Sequence, residues 1–131
     1  MKIFKDLSKE EQDEIIRYRN FKDVCFKFAN LQRADFRNAD LSHMNFHGAN
    51  LKDANLINAD LINANFSNAD LSNAYLNNSD LRNADFSDAN LRNADFSNAY
   101  LRNADLRDSD LRDSNFSNAT LTGTILEGLK T

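Results

Sequence analysis

The chain has 131 residues, a net charge of −4, one cysteine, three glycines and no proline. That length fits one domain, and the mild acidity argues against a general nucleic-acid binder, which needs a basic face. The lone Cys25 cannot close an internal disulfide, no apolar run approaches the roughly 18 residues of a membrane span, and Met1–Asp6 lacks a signal-like apolar segment, so the expected location is the cytoplasm.

Residues 1–20 read as an N-terminal cap. Ser8-Lys9-Glu10-Glu11 fits a capping box, which predicts a short helix from Lys9 to Arg17 that offers Ile15, Ile16 and Tyr18 to the start of the repeat array. From Phe21 a Leu or Phe recurs at every fifth residue as far as Leu126, giving 22 consecutive units. Ala lies two residues before most of these centres, and Asp or Asn lies between, as in Asn83–Phe96, N-A-D-F-S-D-A-N-L-R-N-A-D-F. A five-residue spacing scatters around a helix, whose step is about 100° per residue, and alternates between the faces of a flat strand. It works when the chain turns a corner in every unit and points each centre inward.

The phenylalanines set the number of corners. Phe26, Phe36, Phe46, Phe66, Phe86, Phe96 and Phe116 alternate with leucines at a ten-residue period. That alternation survives stacking only if each coil has an even number of sides, and four sides give twenty residues per coil. Phenylalanine then lines two opposing walls and leucine the other two. The Ala positions also face inward, with Ser79, Ser109, Ser114 and Thr124 as small replacements and Met44 as a bulky exception expected to distort its coil. Val24 and Cys25 make an imperfect entry, Phe28 is expected to lie under the cap, and Leu129 is expected to fold over the last coil. The scarcity of glycine and proline predicts turns that avoid positive φ at most residues.

The pattern A-(D/N)-(L/F)-x-x over residues 21–128 resembles the pentapeptide-repeat proteins, and A-D-F-S-D-A-N-L-R-N lies close to their consensus. The resemblance implies an all-β solenoid, a right-handed quadrilateral β-helix of about 5.5 coils of four pentapeptides. A short N-terminal capping helix precedes it, so the division is 1–20 cap and 21–131 β-helix. At about 4.8 Å per coil the rod would be roughly 26 Å long.

Twenty-residue stacking places outward side chains in ladders. One reads Asn20, Asp40, Asp60, Asp80, Tyr100, and residues 53–81 hold four Asp with no Lys or Arg, the most acidic band of the rod. Asp40, Asp60 and Asp80 with the nearby Ile57, Ile62 and Tyr75 are the candidate partner-binding residues, a docking face for a basic protein. The competing reading is that Asp and Asn here bond to backbone at the corner. The Asn series from Asn58 to Asn103 reads as structural in the same way. Arg92 over Arg112, Arg82 over Arg102 and Arg107 between them are expected to form a solvated lattice with Asp88, Asp108, Asp110 and Asp113, Arg82 and Arg102 relieving Asp80.

The sequence offers no catalytic constellation, Gly-rich phosphate loop or cofactor motif. His43 and His47 fall on different walls and lack the converging ligands a metal needs. The expected function is therefore non-enzymatic: a protein-protein interaction or scaffold module whose partner the sequence does not name. The thinly covered last coil also invites a homodimer through the C-terminal coil. The alternative that the family resemblance implies is a DNA mimic that occupies a type II topoisomerase (gyrase) and protects or inhibits it. Against it stand the modest net charge, the arginines and the lack of a C-terminal helix. Neither direct nucleic-acid binding nor membrane association is expected. Ice binding would need uniform Thr-like ladders, which these walls lack.

Overall fold

The structure, a computed structural model, describes residues 1–131. Every five-residue unit makes one side of a square coil, and every fourth unit lies over the last. The residue before each centre bridges in parallel to the residue twenty further on, from Asn30↔Asn50 up to Asp110↔Lys130. Main-chain bonds match this register. The N–H of Leu51 donates to the Asp70 carbonyl (2.7 Å), and the N–H of Asp70 donates back to the Ala49 carbonyl (2.9 Å). Inside each unit the Ala N–H returns to the preceding centre, as from Ala54 to the Leu51 carbonyl (3.0 Å), which closes a four-residue turn. We number the faces by their centres: face 1 from Phe21 to Leu121, face 2 from Phe26 to Leu126, face 3 from Leu31 to Leu111, face 4 from Phe36 to Phe116.

The bore is filled as the periodicity requires. Phe46, Leu51, Leu61, Leu71 and Phe86 are fully buried, and the Ala positions from Ala49 to Ala74 are within 2% of it. Each such centre contributes roughly 1.5–3 kcal/mol of burial. On face 2 the rings of Phe26, Phe46, Phe66 and Phe86 stack nearly parallel at 4.9–5.1 Å, and on face 4 Phe96 stacks on Phe116 at 4.7 Å. Rings from the two walls meet edge to face across the bore, as Phe86 and Phe96 do at 5.8 Å. Ser79 and Ser109 are buried at Ala positions, and their hydroxyls donate to the Leu76 and Leu106 carbonyls.

Five expectations about detail are corrected. The turns do not avoid positive φ. The residue two after every centre from Phe21 to Leu126 is left-handed, and the non-glycine examples within the coils lie at 57–62°. Asparagine and aspartate supply this conformation because their short polar side chains tolerate it, so little glycine is needed. Met44 does not distort the backbone, since its N–H and carbonyl keep the regular bonds at 3.2 and 2.9 Å. Its half-buried side chain lines shallow depressions at the base of the rod. Phe28 is not covered and stands 53% exposed. Tyr18 does not reach the first coil and is 71% exposed. Leu129 does not fold over the end. It continues the Ala column, with the Lys130 N–H donating to the Ser109 carbonyl (3.0 Å).

The base is closed by three devices. Strand β1 (Lys2–Ile3) pairs in parallel with β2 (Val24–Cys25) and extends face 2 downward. Helix α1 spans Lys9–Tyr18, one residue past the expected end. The Ser8 side chain caps its Glu11 N–H (3.2 Å), and Ile15 and Ile16 pack on the core. Arg19, in the left-handed C-cap position, then lays its guanidinium on the Asp35 carbonyl (3.1 Å) and the Arg37 carbonyl. Those carbonyls face where a preceding coil would donate, so one side chain replaces two main-chain donors.

At the other end the ladder stops. The N–H groups of Phe116, Leu121 and Leu126 donate to no main-chain carbonyl, and Leu121, Ile125 and Leu126 are about two-fifths exposed.

Candidate functional site: the acidic ladder and the apolar corner beside it

The residue before each centre does two jobs. Its backbone makes the bridge between coils, and where it is Asp or Asn its side-chain Oδ1 can accept the N–H two residues on, as Asn55 does from Ile57 (3.1 Å) and Asp60 from Ile62 (3.1 Å). Such local turns explain why Asx residues dominate this position.

On face 1 the expected ladder is present from its second rung: Asp40, Asp60, Asp80 and Tyr100 bridge successively, whereas Asn20 makes no bridge to Asp40. Its three carboxylates differ in their partners. Asp40 accepts the Ser42 hydroxyl (2.7 Å) and N–H, which hold its pKa below the usual carboxylate range. Asp80 is gripped by Arg82 through two guanidinium bonds (2.8 and 2.7 Å), whose hydrogen bonding lowers its pKa. Asp60 takes only the Ile62 main-chain N–H. One half-buried carboxylate in the middle of the ladder thus has a free oxygen and no cation of its own.

The corner beside it is apolar. Ile57 ends face 4 and Ile62 lies on face 1, on either side of the turn at 58–60, and both are half-buried. Tyr75 bridges Asn55 and Asp95 on face 4 and is 50% exposed. The structure therefore puts the three carboxylates in one ladder, and Ile57 and Ile62 around the adjoining corner of one coil. Tyr75 sits a coil higher, on face 4.

The arginines do not form the expected lattice. Apart from a long contact between Arg33 and Asp53 (4.0 Å), one coil apart, the ion pairs of the coils close within a single unit, from the residue after the centre to the residue before it. The pairs are Arg37–Asp35, Arg82–Asp80, Arg107–Asp105 and Arg112–Asp110, at 2.5–2.8 Å. Hydrogen bonds from Arg37 and Arg112 bring Asp35 and Asp110 down to about 2. Asp88, Asp108 and Asp113 occupy left-handed turn positions instead. Arg92 and Arg102, with Asn90 and Tyr100 where the others have Asp, form no ion pair, and Arg102 does not relieve Asp80.

Sequence reasoning missed one pair. His47 Nδ1 lies 2.7 Å from Ser67 Oγ, a residue one full coil away that is only 8% exposed. The twenty-residue offset was signal enough to find it. It is not a nucleophile with its base. Asn65 Oδ1 accepts both the Ser67 N–H (2.9 Å) and the Ser67 hydroxyl (2.6 Å), so the single hydroxyl proton is committed and His47 must donate. His43 lies on face 1, away from this pair.

The comparisons agree with this geometry. The family model described as "Pentapeptide repeat region" matches residues 49–126, and "Pentapeptide repeats (8 copies)" matches 20–56 and 29–68. A solved pentapeptide repeat protein from the Arabidopsis thaliana thylakoid lumen is 33% identical over 76% of this chain and 66% of its own, with a TM-score of 0.62. Another from Nostoc PCC 7120 is 42% identical over 61% and 62%, with a TM-score of 0.53. The chain thus spans less than two thirds of the length of both. A trypsin-treated form of QnrB1, a plasmid-mediated fluoroquinolone resistance protein, is 25% identical over 98% of this chain and 69% of that one, with a TM-score of 0.51. No curated protein matches the sequence. The coil is the right-handed quadrilateral β-helix of these relatives.

Proposed function

The chain belongs to the pentapeptide-repeat proteins, and on that premise we propose that it is a non-enzymatic interaction module of the cytoplasm. Its docking surface is the corner shared by faces 1 and 4: Asp40, Asp60 and Asp80 with Ile57, Ile62 and Tyr75. The observation that carries this is Asp60, the ladder carboxylate without a side-chain partner, set beside apolar side chains that the core does not use. A basic segment that brings a cation to Asp60 and an apolar residue to Ile57 and Ile62 suits the surface.

The test is a pulldown from native cytosol with wild type, a variant carrying Asp60→Lys and Ile62→Lys, and an Arg92→Glu control on face 3. A partner retained by wild type and control and lost from the corner variant supports the reading. A partner list unchanged by the corner variant rejects this choice of face.

The open last coil favours a second association, a homodimer joined end to end through units that leave main-chain donors and Leu121, Ile125 and Leu126 uncovered. A DNA mimic acting on a type II topoisomerase is the alternative, favoured by the similarity to a fluoroquinolone resistance protein. The Arg forks that neutralise Asp80, Asp105 and Asp110 weigh against it. Inhibition of DNA supercoiling at low micromolar protein would support the mimic, and no effect would remove it.

A further inference from the structure

We infer that face 2 is an interface between two copies of this chain, packed side by side and antiparallel. It goes beyond the corner proposed above, on a different face and with a different partner. Face 2 is the one wall whose two halves carry clearly opposite charge. Its lower half, with strand β1 beneath it, holds Lys2 and Lys27 and no carboxylate as far as Asn68. Its upper half carries five carboxylates between Asp85 and Glu127 against the single Arg107, which is folded onto Asp105. A twofold axis lying in the plane of the contact and perpendicular to the rod, between the levels of Phe66 and Phe86, sets each basic half over an acidic half. A surface that matches itself in this way is what a closed twofold dimer needs.

The second observation is Phe28. It is a bulky residue at φ 59°, a conformation that suits asparagine or glycine, and it is 53% exposed. Its ring is held in place: Lys27 Nζ lies 5.3 Å from its centroid, and His47 meets it edge-on at 5.4 Å. Gly48 leaves room for it, because any Cβ there would strike the ring. Strain retained in an exposed aromatic has no role in the monomer's core. In the antiparallel register Lys27 and Phe28 lie over the unit that holds Ile125, itself 39% exposed, and Glu127. The middle of the face carries short polar outward groups, Asn65, Ser67 and Asn68 at one level and Asp85, Ser87 and Asp88 at the next, so the two walls can approach closely. Exposed charges carry most of the contact, which makes the dimer weak and salt-sensitive.

The experiment combines sedimentation equilibrium with small-angle scattering, from low micromolar to near-millimolar protein. Wild type should give a dimer of doubled thickness and nearly unchanged length, which also separates it from end-to-end pairing. Lys27→Glu and Glu127→Lys should each weaken dimerisation on the order of tenfold, and the double swap should restore it. Neither side chain makes a hydrogen bond or ion pair in the monomer, so the variants should fold. Phe28→Asn should raise the Tm of the monomer while weakening the dimer, a split that a purely structural residue would not give. A chain that stays monomeric throughout, a dimer of doubled length, or a double swap that fails to restore association would overturn the inference.

Discussion

At Asn58, Asn78 and Asn98 the backbone turns at φ 59°, 59° and 58°, and an Ala or Ser then dives into the bore. An L-residue with a larger side chain is strained in this region, and glycine would raise the entropy lost on folding. Where the ladder does hold glycine, the residue one coil earlier takes the vacated space: Phe28 over Gly48, Asn103 over Gly123, Asp108 over Gly128. Gly48→Asn should therefore destabilise the rod by about 1–3 kcal/mol, since the new side chain meets the Phe28 ring. Adding Phe28→Asn should recover most of that loss, because two stacked asparagines are what Asn58 and Asn78 already are. Urea midpoints of the single and double variants give the coupling.

Protonation is also decided at single residues. Asp35 and Asp110 are depressed from 3.8 to about 2 by hydrogen bonds from Arg37 and Arg112. A carboxylate whose folded pKa is lowered adds stability that is complete above its ordinary value and is lost as pH falls through the folded one. Urea midpoints should thus be steady near neutrality and fall between about pH 4 and pH 2. Arg112→Gln should make that fall shallower, and an equal slope in the variant would show that the fork contributes nothing.

At the scale of elements, α1 and β1 are the parts that do not repeat, and their work is to end the array. Arg19→Ala uncovers the Asp35 and Arg37 carbonyls at the base and should cost about 1–3 kcal/mol, whereas Arg17→Ala, on an exposed helix position, should stay within about 0.5 kcal/mol. Thermal unfolding of the two variants checks this. The capping box makes α1 legible from Ser8 and Glu11 alone. Arg19 is not legible, because a guanidinium reaching sixteen residues ahead leaves no local pattern. Phe28 misleads for a related reason. A large apolar residue suggests a cover, and only the left-handed turn shows that its side chain must project outward.

For the whole molecule, the five-residue period and the ten-residue Phe/Leu alternation are enough to give the coil, its four sides and which side chains fill the bore. The offset of twenty then sets every outward ladder, including Asp40–Asp60–Asp80. What the period does not convey is how each ladder is neutralised. A residue-by-residue pattern favours pairing between coils, but an Arg two places after an Asp is already in reach within one unit, so four of the ion pairs close locally, Asp60 has no cation bonded to it, and Arg92 and Arg102, which follow Asn90 and Tyr100, form no ion pair. The positive φ angles are hidden from a reading that takes glycine as their marker, since asparagine carries most of them here.

Every outward ladder depends on one stacked coil, closed at its base and open at its top. Solenoids of this kind exchange and unfold along their length as a chain of neighbouring units. Native-state hydrogen exchange reads this directly, amide by amide. The centre amides of Leu51, Leu61 and Leu71, each bonded to the next coil, should be the slowest, while those of Phe116, Leu121 and Leu126 should exchange fastest among the centres. Uniform protection along the rod, or fast exchange at Leu61 with protection at Leu126, would contradict the account.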